Sequence, residues 1–314
     1  MKRFLPHLPE KPENPPFKGK GVAMDLIQPD RLKRNALNEA INAQMNLCYT
    51  CRSCAGECPV NQFTDRLHPV KLVRMAHYGM EEELVRSPEI WYCISCNRCS
   101  HVCPMTVKPA RLIQDLRWKA EEKGAVPSGT LDRVHQLQRQ FNRLRWLAAS
   151  RCLQGKKPGD LEARWDRLET EPVPESTLPL LRPEARSAPK ASNDFFGIPT
   201  DVTSCYTCGE CRNACPVCFD GPVFDPLRLI RLSAMGFHGE ALNSPSLWLC
   251  VECESCTRAC GQKVKGHLAV RHLQDMAHEA GYMSQEAFRN WQKAQEELFQ
   301  GLLNRVDAVL RKPH

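Results

Sequence analysis

No stretch of this 314-residue chain comes near the roughly 20 consecutive apolar residues that a membrane helix needs. The N-terminus, Met-Lys-Arg-Phe-Leu-Pro-His-Leu-Pro, has a basic start, but prolines interrupt it before any apolar core forms. It reads neither as a secretory signal nor as a twin-arginine signal, so the expected compartment is the cytoplasm. Strand signals are nearly absent, which argues against a sheet-based fold. There is no glycine-rich dinucleotide fingerprint on a strand–helix unit and no P-loop, so neither flavin nor NAD is expected to bind. No two cysteines are adjacent anywhere in the chain.

What the chain does have is cysteine, 18 of them, and 16 lie in four runs. The first is Cys48, Cys51, Cys54 and Cys58, followed by Pro59. The second is Cys93, Cys96, Cys99 and Cys103, followed by Pro104. The third is Cys205, Cys208, Cys211 and Cys215, followed by Pro216. The fourth is Cys250, Cys253, Cys256 and Cys260, followed by Gly261. Each reads C-x2-C-x2-C-x3-C, the ferredoxin-type spacing for a 4Fe–4S cluster. Three thiolates two residues apart can wrap the corner of a cuboidal cluster, each on one iron. The longer step carries the fourth thiolate away, and in two-cluster proteins it ligates the other cluster.

Such a crossover predicts four ligand sets. Cys48, Cys51 and Cys54 join Cys103; Cys93, Cys96 and Cys99 join Cys58. In the second half Cys205, Cys208 and Cys211 join Cys260, while Cys250, Cys253 and Cys256 join Cys215. Zinc sites close one C-x2-C pair with a distant second pair and need no third cysteine. Disulfide frameworks belong to small secreted domains. Four 4Fe–4S clusters are therefore the expected cofactors. They also revise the charge: each site contributes about −2, so a formal +7 becomes about −1. The basic balance then offsets cofactors, and no nucleic-acid partner is expected.

The runs sit in an internal duplication. Residues 48–124 align with 205–281 at a constant offset of 157, with 26 identities in 77 positions. Eight of these are cysteines; the rest include Tyr49/Tyr206, Pro69/Pro226, Arg74/Arg231, Gly79/Gly236, Trp91/Trp248 and Gly124/Gly281. Shared loop lengths mark a tandem repeat. Asp225-Pro226 supplies a helix start and Gly236 a stop, and His68-Pro69 through Gly79 repeats the pattern with a poorer cap. Ser87-Pro88 and Ser244-Pro245 start short helices that deliver Trp91 and Trp248 beside the next run. Segments 108–123 and 265–280 read as helices. The expected fold is all-α: two tandem helical two-cluster modules joined by a partly helical, proline-rich linker.

The boundaries that follow are a proline-rich tail over 1–30, a first module over 31–124 and a joining segment over 125–200. A second module covers 201–283 and an amphipathic helix 284–314. An apolar stripe of Leu32, Ala36, Leu37, Ala40 and Ile41 leads into the first run. In the joining segment Leu131, Val134, Leu137, Phe141 and Leu144 recur at helical spacing, with arginines on the other faces. Residues 155–193 read as a linker. Phe288, Trp291, Leu298, Leu302, Val306 and Leu310 form a stripe expected to pack on the protein itself.

A helical module with two such runs resembles the C-type component of heterodisulfide reductase. It is also similar to the C-terminal cluster domain of succinate dehydrogenase and fumarate reductase iron–sulfur subunits. The resemblance covers about 48–124 and 205–281; the duplication, Gly261 and the joining segment depart from it. It implies an electron-transfer subunit between a flavin-containing A-type subunit and a B-type or other catalytic subunit. A peripheral association with a quinone-linked membrane partner, at the inner face of the membrane, is left open. The rival is a catalytic subunit in which one cluster with an open iron site reduces a sulfur or disulfide substrate, as when Cys218 displaces Cys215. The adjacent-cysteine motif of the heterodisulfide reductase catalytic subunit is missing, which favours the relay, with no catalytic residue of its own.

Other residues receive plainer readings. Cys218 and Cys152 have no cysteine at the repeat-equivalent position, and a buried inert thiol is the default. Trp91 and Trp248 read as core. His68, His77 and His101 lack ligand spacing. Arg74 and Arg231 either neutralise cluster charge or lie on a solvated face. Gly261 restores a backbone N–H that proline lacks, which would raise the potential of the cluster held by Cys260. The alternative is that it relaxes a turn.

Overall fold

A computed structural model describes residues 29–165, 194–195, 198–218 and 223–311. Most of the expected tail and the linker's proline-rich stretch from 166 to 193 lie outside the described residues. The fold is all-α, with one two-residue antiparallel pair, Asp194–Phe195 with Ile198–Pro199, as the sole strand pairing among the described residues.

Among the described residues, seven helices reach nine residues or more: α1 (Arg31–Ile41), α2 (Pro69–His77), α3 (Pro109–Glu122), α4 (Thr130–Leu153), α5 (Pro226–Ala234), α6 (Gly266–Glu279) and α7 (Gln285–Arg311). Their ends follow local chemistry. The Asp30 carboxylate accepts from the first-turn N–H groups of Leu32 and Lys33, and Asp225 does the same for Leu227 and Arg228. His68 makes no capping bond before Pro69. Leu37 and Ile41 of α1 are buried, but Leu32, expected in the stripe, is 83% exposed. It sits in the first turn, whose N–H groups are capped by Asp30 and whose outer side faces water.

The 157-residue offset holds in three dimensions. Helices α2 and α5 coincide in register, as do α3 and α6 and the short 3-10 helices Pro88–Tyr92 and Pro245–Leu249. The structure extends the repeat beyond the sequence alignment, because α4 and α7 also fall at that offset. Only Gln138/Gln295 and Leu153/Leu310 are identical along the 24 residues of α4.

Helices α4 and α7 pack along each other, and each reaches into the opposite module. From α4, which follows the first module, Arg145 donates to the Leu249 carbonyl of the second at 3.1 Å. From α7, which follows the second, Asp307 accepts from Tyr92 at 2.6 Å and from Arg66 at 2.7 Å. Phe299 stacks on Phe63 with ring centroids 4.7 Å apart. The α7 stripe buries Trp291, Leu298, Leu302 and Val306 against the protein itself. The start of the joining segment is folded as well: Leu161 and Trp165 are buried, and Arg305 lies over the Trp165 ring. The segment expected as linker over 155–193 is thus packed on the protein at Leu161 and Trp165.

Glycine is required at one close approach. At Gly79 φ is +75°, and an added Cβ would lie 2.3 Å from the Asp30 carbonyl oxygen. Gly79→Ala combines that clash with a left-handed backbone, and is expected to lower stability by about 2–4 kcal/mol. Thermal unfolding reads this directly; a variant melting with the parent would mean that α1 does not dock against the end of α2.

Candidate iron–sulfur centres

All four cysteine runs adopt one local fold. In each, both neighbours of the second cysteine have left-handed backbone: Thr50 and Arg52, Ser95 and Asn97, Thr207 and Gly209, Glu252 and Glu254, with φ between 51° and 87°. A four-residue helix follows each time: Ser53–Gly56, Arg98–His101, Glu210–Asn213 and Ser255–Arg258. Seven of these eight left-handed residues are not glycine, and each costs about 1–2 kcal/mol relative to ordinary backbone. Strain repeated at the same position in four loops points to a function shared by the loops. Curled segments of this kind turn successive N–H groups inward and form concavities that suit anionic groups, iron–sulfur clusters among them. Ser95 N–H points at Cys93 Sγ at 3.3 Å and its counterpart Glu252 N–H at Cys250 Sγ at 3.4 Å.

The thiols converge across runs. Cys48, Cys51, Cys54 and Cys103 line one cavity, together with Val70, Val73 and Val107. Burial pushes the Cys54 thiol up to about 11, with Cys48, Cys103 and Cys51 adding to the rise. Burial and then Cys93 act on Cys99, with Cys96 and Cys58 behind them. Cys58 itself is raised to about 12, chiefly by burial and with Cys93 among the neighbouring thiols that add to the rise. In the second module Cys250 is held well above the usual thiol range by burial and then by Cys256, Cys253 and Cys215. Cys211 is raised to about 12 by burial, Cys256 and Cys205, and Cys205, Cys256 and Cys260 pack against the small core cluster that contains it.

Each module thus has an outer group at its first run and an inner group at its second. The outer groups expose one thiol each, Cys51 and Cys208, beside the exposed Tyr49 and Tyr206. In the first module's inner group Cys93, Cys96, Cys99 and Cys58 are all buried. The inner groups face one another. Cys253 is among the neighbouring thiols that raise Cys96, after burial and Cys93. His101 Nδ1 lies 2.6 Å from the Cys253 carbonyl oxygen, Arg98 donates to the Val251 carbonyl at 3.1 Å and Arg258 to that of His101 at 3.1 Å. His101 is therefore a junction residue, which its spacing could not reveal.

The residues present fit 4Fe–4S clusters. Among the described residues, no three Cys, His, Asp or Glu side chains close on a point suited to a single metal ion. A cubane instead holds each thiolate at a separate iron. Buried thiols raised this far would stay protonated at neutral pH, so the iron must supply the driving force for their ionisation.

The charged partners differ from the sequence expectation. Arg74 donates to Tyr78 at 2.6 Å, whereas Arg231 donates to the Cys205 carbonyl at 2.9 Å. The buried arginines are others. Arg117 is 1% exposed and donates to the carbonyls of Ile90 at 2.7 Å, Trp91 at 3.0 Å and Cys93. Burial pulls its pKa down, and Cys93 acts against that. Arg145, 3% exposed, stands beside Cys250; burial lowers it to about 10, so it remains charged at neutral pH. Arg145 was hidden because its helix face looked solvated.

Burial raises both Cys218 and Cys152 to about 11. Trp91 and Trp248 are buried. The turn after Cys260 matches that after Cys103, with Lys263 N–H bonded to the Cys260 carbonyl as Thr106 N–H is to that of Cys103. Gly261 is not needed for its shape.

Residues 47–108 match the 4Fe-4S dicluster domain family. Over about a third of its length the chain is similar to the C-type iron–sulfur components of heterodisulfide reductases. One relative is the "C 2" iron–sulfur component of the CoB–CoM heterodisulfide reductase of Methanocaldococcus jannaschii, 33% identical over 112 residues, covering 32% of this chain and 59% of the relative. Another is a protein of Archaeoglobus profundus named as similar to the heterodisulfide reductase C-type component, 30% identical over 90 residues, covering 29% and 48%. A third is the C2 component of an H2/formate:CoB-CoM heterodisulfide,ferredoxin reductase of Methanococcus maripaludis, 30% identical over 110 residues, covering 32% and 59%. The chain spans about half to three-fifths of the length of these relatives. No solved structure matches the chain. No described helix is long and apolar enough to cross a membrane.

Proposed function

We propose that the chain is an electron-transfer subunit with four 4Fe–4S clusters, held by the 16 cysteines in the four crossover sets. It relays electrons between a flavin-containing partner and a catalytic or quinone-linked partner in a heterodisulfide reductase-like complex. The clusters supply one-electron exchange. The chain's own residues space the thiol sets and shield the inner ones. The bonds of Arg98 and His101 to the Val251 and Cys253 carbonyls carry the reading, because they set the two inner runs against each other. The sets then follow one another as outer, inner, inner, outer, and the exposed Cys51 and Cys208 mark two ends where partners could exchange electrons. A relay with one end per partner needs this arrangement, and the similarity to the C-type heterodisulfide reductase components supports the kind of complex.

The junction is testable through magnetic interaction. Serine at both Cys250 and Cys253 should remove the second module's inner cluster and narrow the EPR signal of the first module's inner cluster as its neighbour disappears. An unchanged line shape would count against a continuous path.

A further inference from the structure

Among the described residues, Arg117 and Arg145 are the two buried side chains that carry a full charge. Neither faces a carboxylate. Arg117 gives its hydrogen bonds to the Ile90, Trp91 and Cys93 carbonyls and to the Ser95 hydroxyl. Arg145 gives its own to the Leu249 carbonyl and the Gln295 amide oxygen. The one acidic side chain that acts on each is a thiol, Cys93 on Arg117 and Cys250 on Arg145. A guanidinium stays protonated inside a protein, and a buried charge without a counter-ion is strongly destabilising. The negative charge that both lack is the charge a thiolate-ligated cluster carries.

The two arginines are not copies of each other. Cys93 and Cys250 are repeat counterparts, each the first cysteine of its inner run. Arg117 lies on α3, and its counterpart is Gln274; Arg145 lies on α4, and its counterpart is Leu302. One arginine therefore serves its own module, and the other reaches across to the second. Two unrelated positions converge on the same cysteine of the repeat, so the duplication alone does not account for them. The outer runs differ. Arg231, which donates to the Cys205 carbonyl, is half-buried, its counterpart Arg74 turns to Tyr78, and Arg52 is exposed. Water and salt screen cations placed in this way.

We propose that Arg117 and Arg145 make the two inner sets the electron store of the relay, reduced as a pair before either outer set. The inference deepens the relay reading and rests on it. Reduction adds one electron to each inner set and breaks no bond; the electrons come from a one-electron reductant, such as a flavin-containing partner. Burial alone opposes the added negative charge. An unscreened cation beside each inner run reverses that balance, because Coulomb attraction grows as the local dielectric falls. The inner runs also face one another across the junction, where Arg98 bonds the Val251 carbonyl. Each arginine offsets the repulsion that the second electron would meet there. A pair held at the junction can be drawn off together by a partner whose chemistry takes two electrons.

The test is a stepwise dithionite titration of the anaerobically purified full chain, with potential, electron count and EPR read after each addition. A first step of two electrons is expected, accompanied by the broadened signal of two interacting clusters. At the potential where the parent holds this pair, Arg145→Gln should hold one electron, and so should Arg117→Gln. In each, the reduced-to-oxidised ratio of the affected cluster should fall about tenfold or more. The double variant should hold neither. Glutamine still offers a donor to the carbonyls, and circular dichroism checks the fold; the second module already carries glutamine at the Arg117 position, so that variant tests the proposal even if the other fails to fold. Uptake of the first two electrons with narrow, isolated signals would overturn the proposal, as would a folded variant that still takes up both at that potential. Iron measured on the same samples reads the relay separately. A full iron complement reduced in another order sinks the electron store alone, and a chain without iron sinks the relay.

Discussion

Serine at both Cys48 and Cys103 is expected to lower the iron content by about 4 per chain, whereas serine at both Cys48 and Cys58 lowers it by about 8. The difference follows from the proposed crossover. Cys48 and Cys103 border the same cavity and belong to one set, so losing both destroys one cluster. Cys58 lies in the same run as Cys48, yet the thiol that acts on it across the fold is Cys93, so under the proposed crossover the second pair strikes two sets. If each run held its own cluster, the outcomes would reverse. Iron analysis of the two variants beside the parent therefore decides the ligation pattern. Equal losses in both variants would contradict it.

Replacing Arg117 with methionine should have the largest effect on stability. The side chain is buried and satisfies the carbonyls of Ile90, Trp91 and Cys93; methionine keeps most of the volume and none of the bonds. The expected loss is on the order of 3–5 kcal/mol, as when one partner of a buried polar network is removed. Arg117→Gln, copying the second module, retains one such bond in the pattern of Gln274 and should cost about 1–3 kcal/mol. The electrostatic consequence is separate. A fixed positive charge beside a thiolate-ligated cluster favours its more negative, reduced state, so both substitutions should lower the midpoint potential of the first module's inner cluster. Redox titration followed by EPR reads that shift, and thermal unfolding reads the stability. A destabilised Arg117→Gln variant with an unmoved potential would leave Arg117 a purely structural role.

The cofactor and the modular repeat were legible because cluster ligation tolerates no substitution: cysteine spacing and intervening loop lengths persist across the two halves, as does the proline after three of the runs. The α4/α7 correspondence was not legible. Helix faces that meet other helices accept volume-conserving exchanges, so Phe141 stands opposite Leu298 and Asn142 opposite Phe299 with little trace of common pattern. The reciprocal reach of these helices was hidden for the same reason, and with it the burial of Arg145. Its charge reads as solvated from sequence and becomes meaningful only once Leu249 and Gln295 are seen to receive it. The left-handed loops were equally silent, since Thr, Arg, Ser and Glu carry no signal for positive φ; only Gly209 and Asn97 hinted at it. The junction at His101 and Cys253 joins residues 152 positions apart, beyond any local pattern.

Full thiolate ligation of four 4Fe–4S centres in one chain is the property on which the relay depends. Iron and acid-labile sulfide per chain after anaerobic purification, read with EPR of the reduced and oxidised protein, test it most directly. About 16 of each are expected, with only signals from interacting reduced 4Fe–4S clusters. About 15 irons with a 3Fe–4S signal on oxidation would contradict full ligation and favour an open iron site. Zinc in place of iron would contradict the relay altogether.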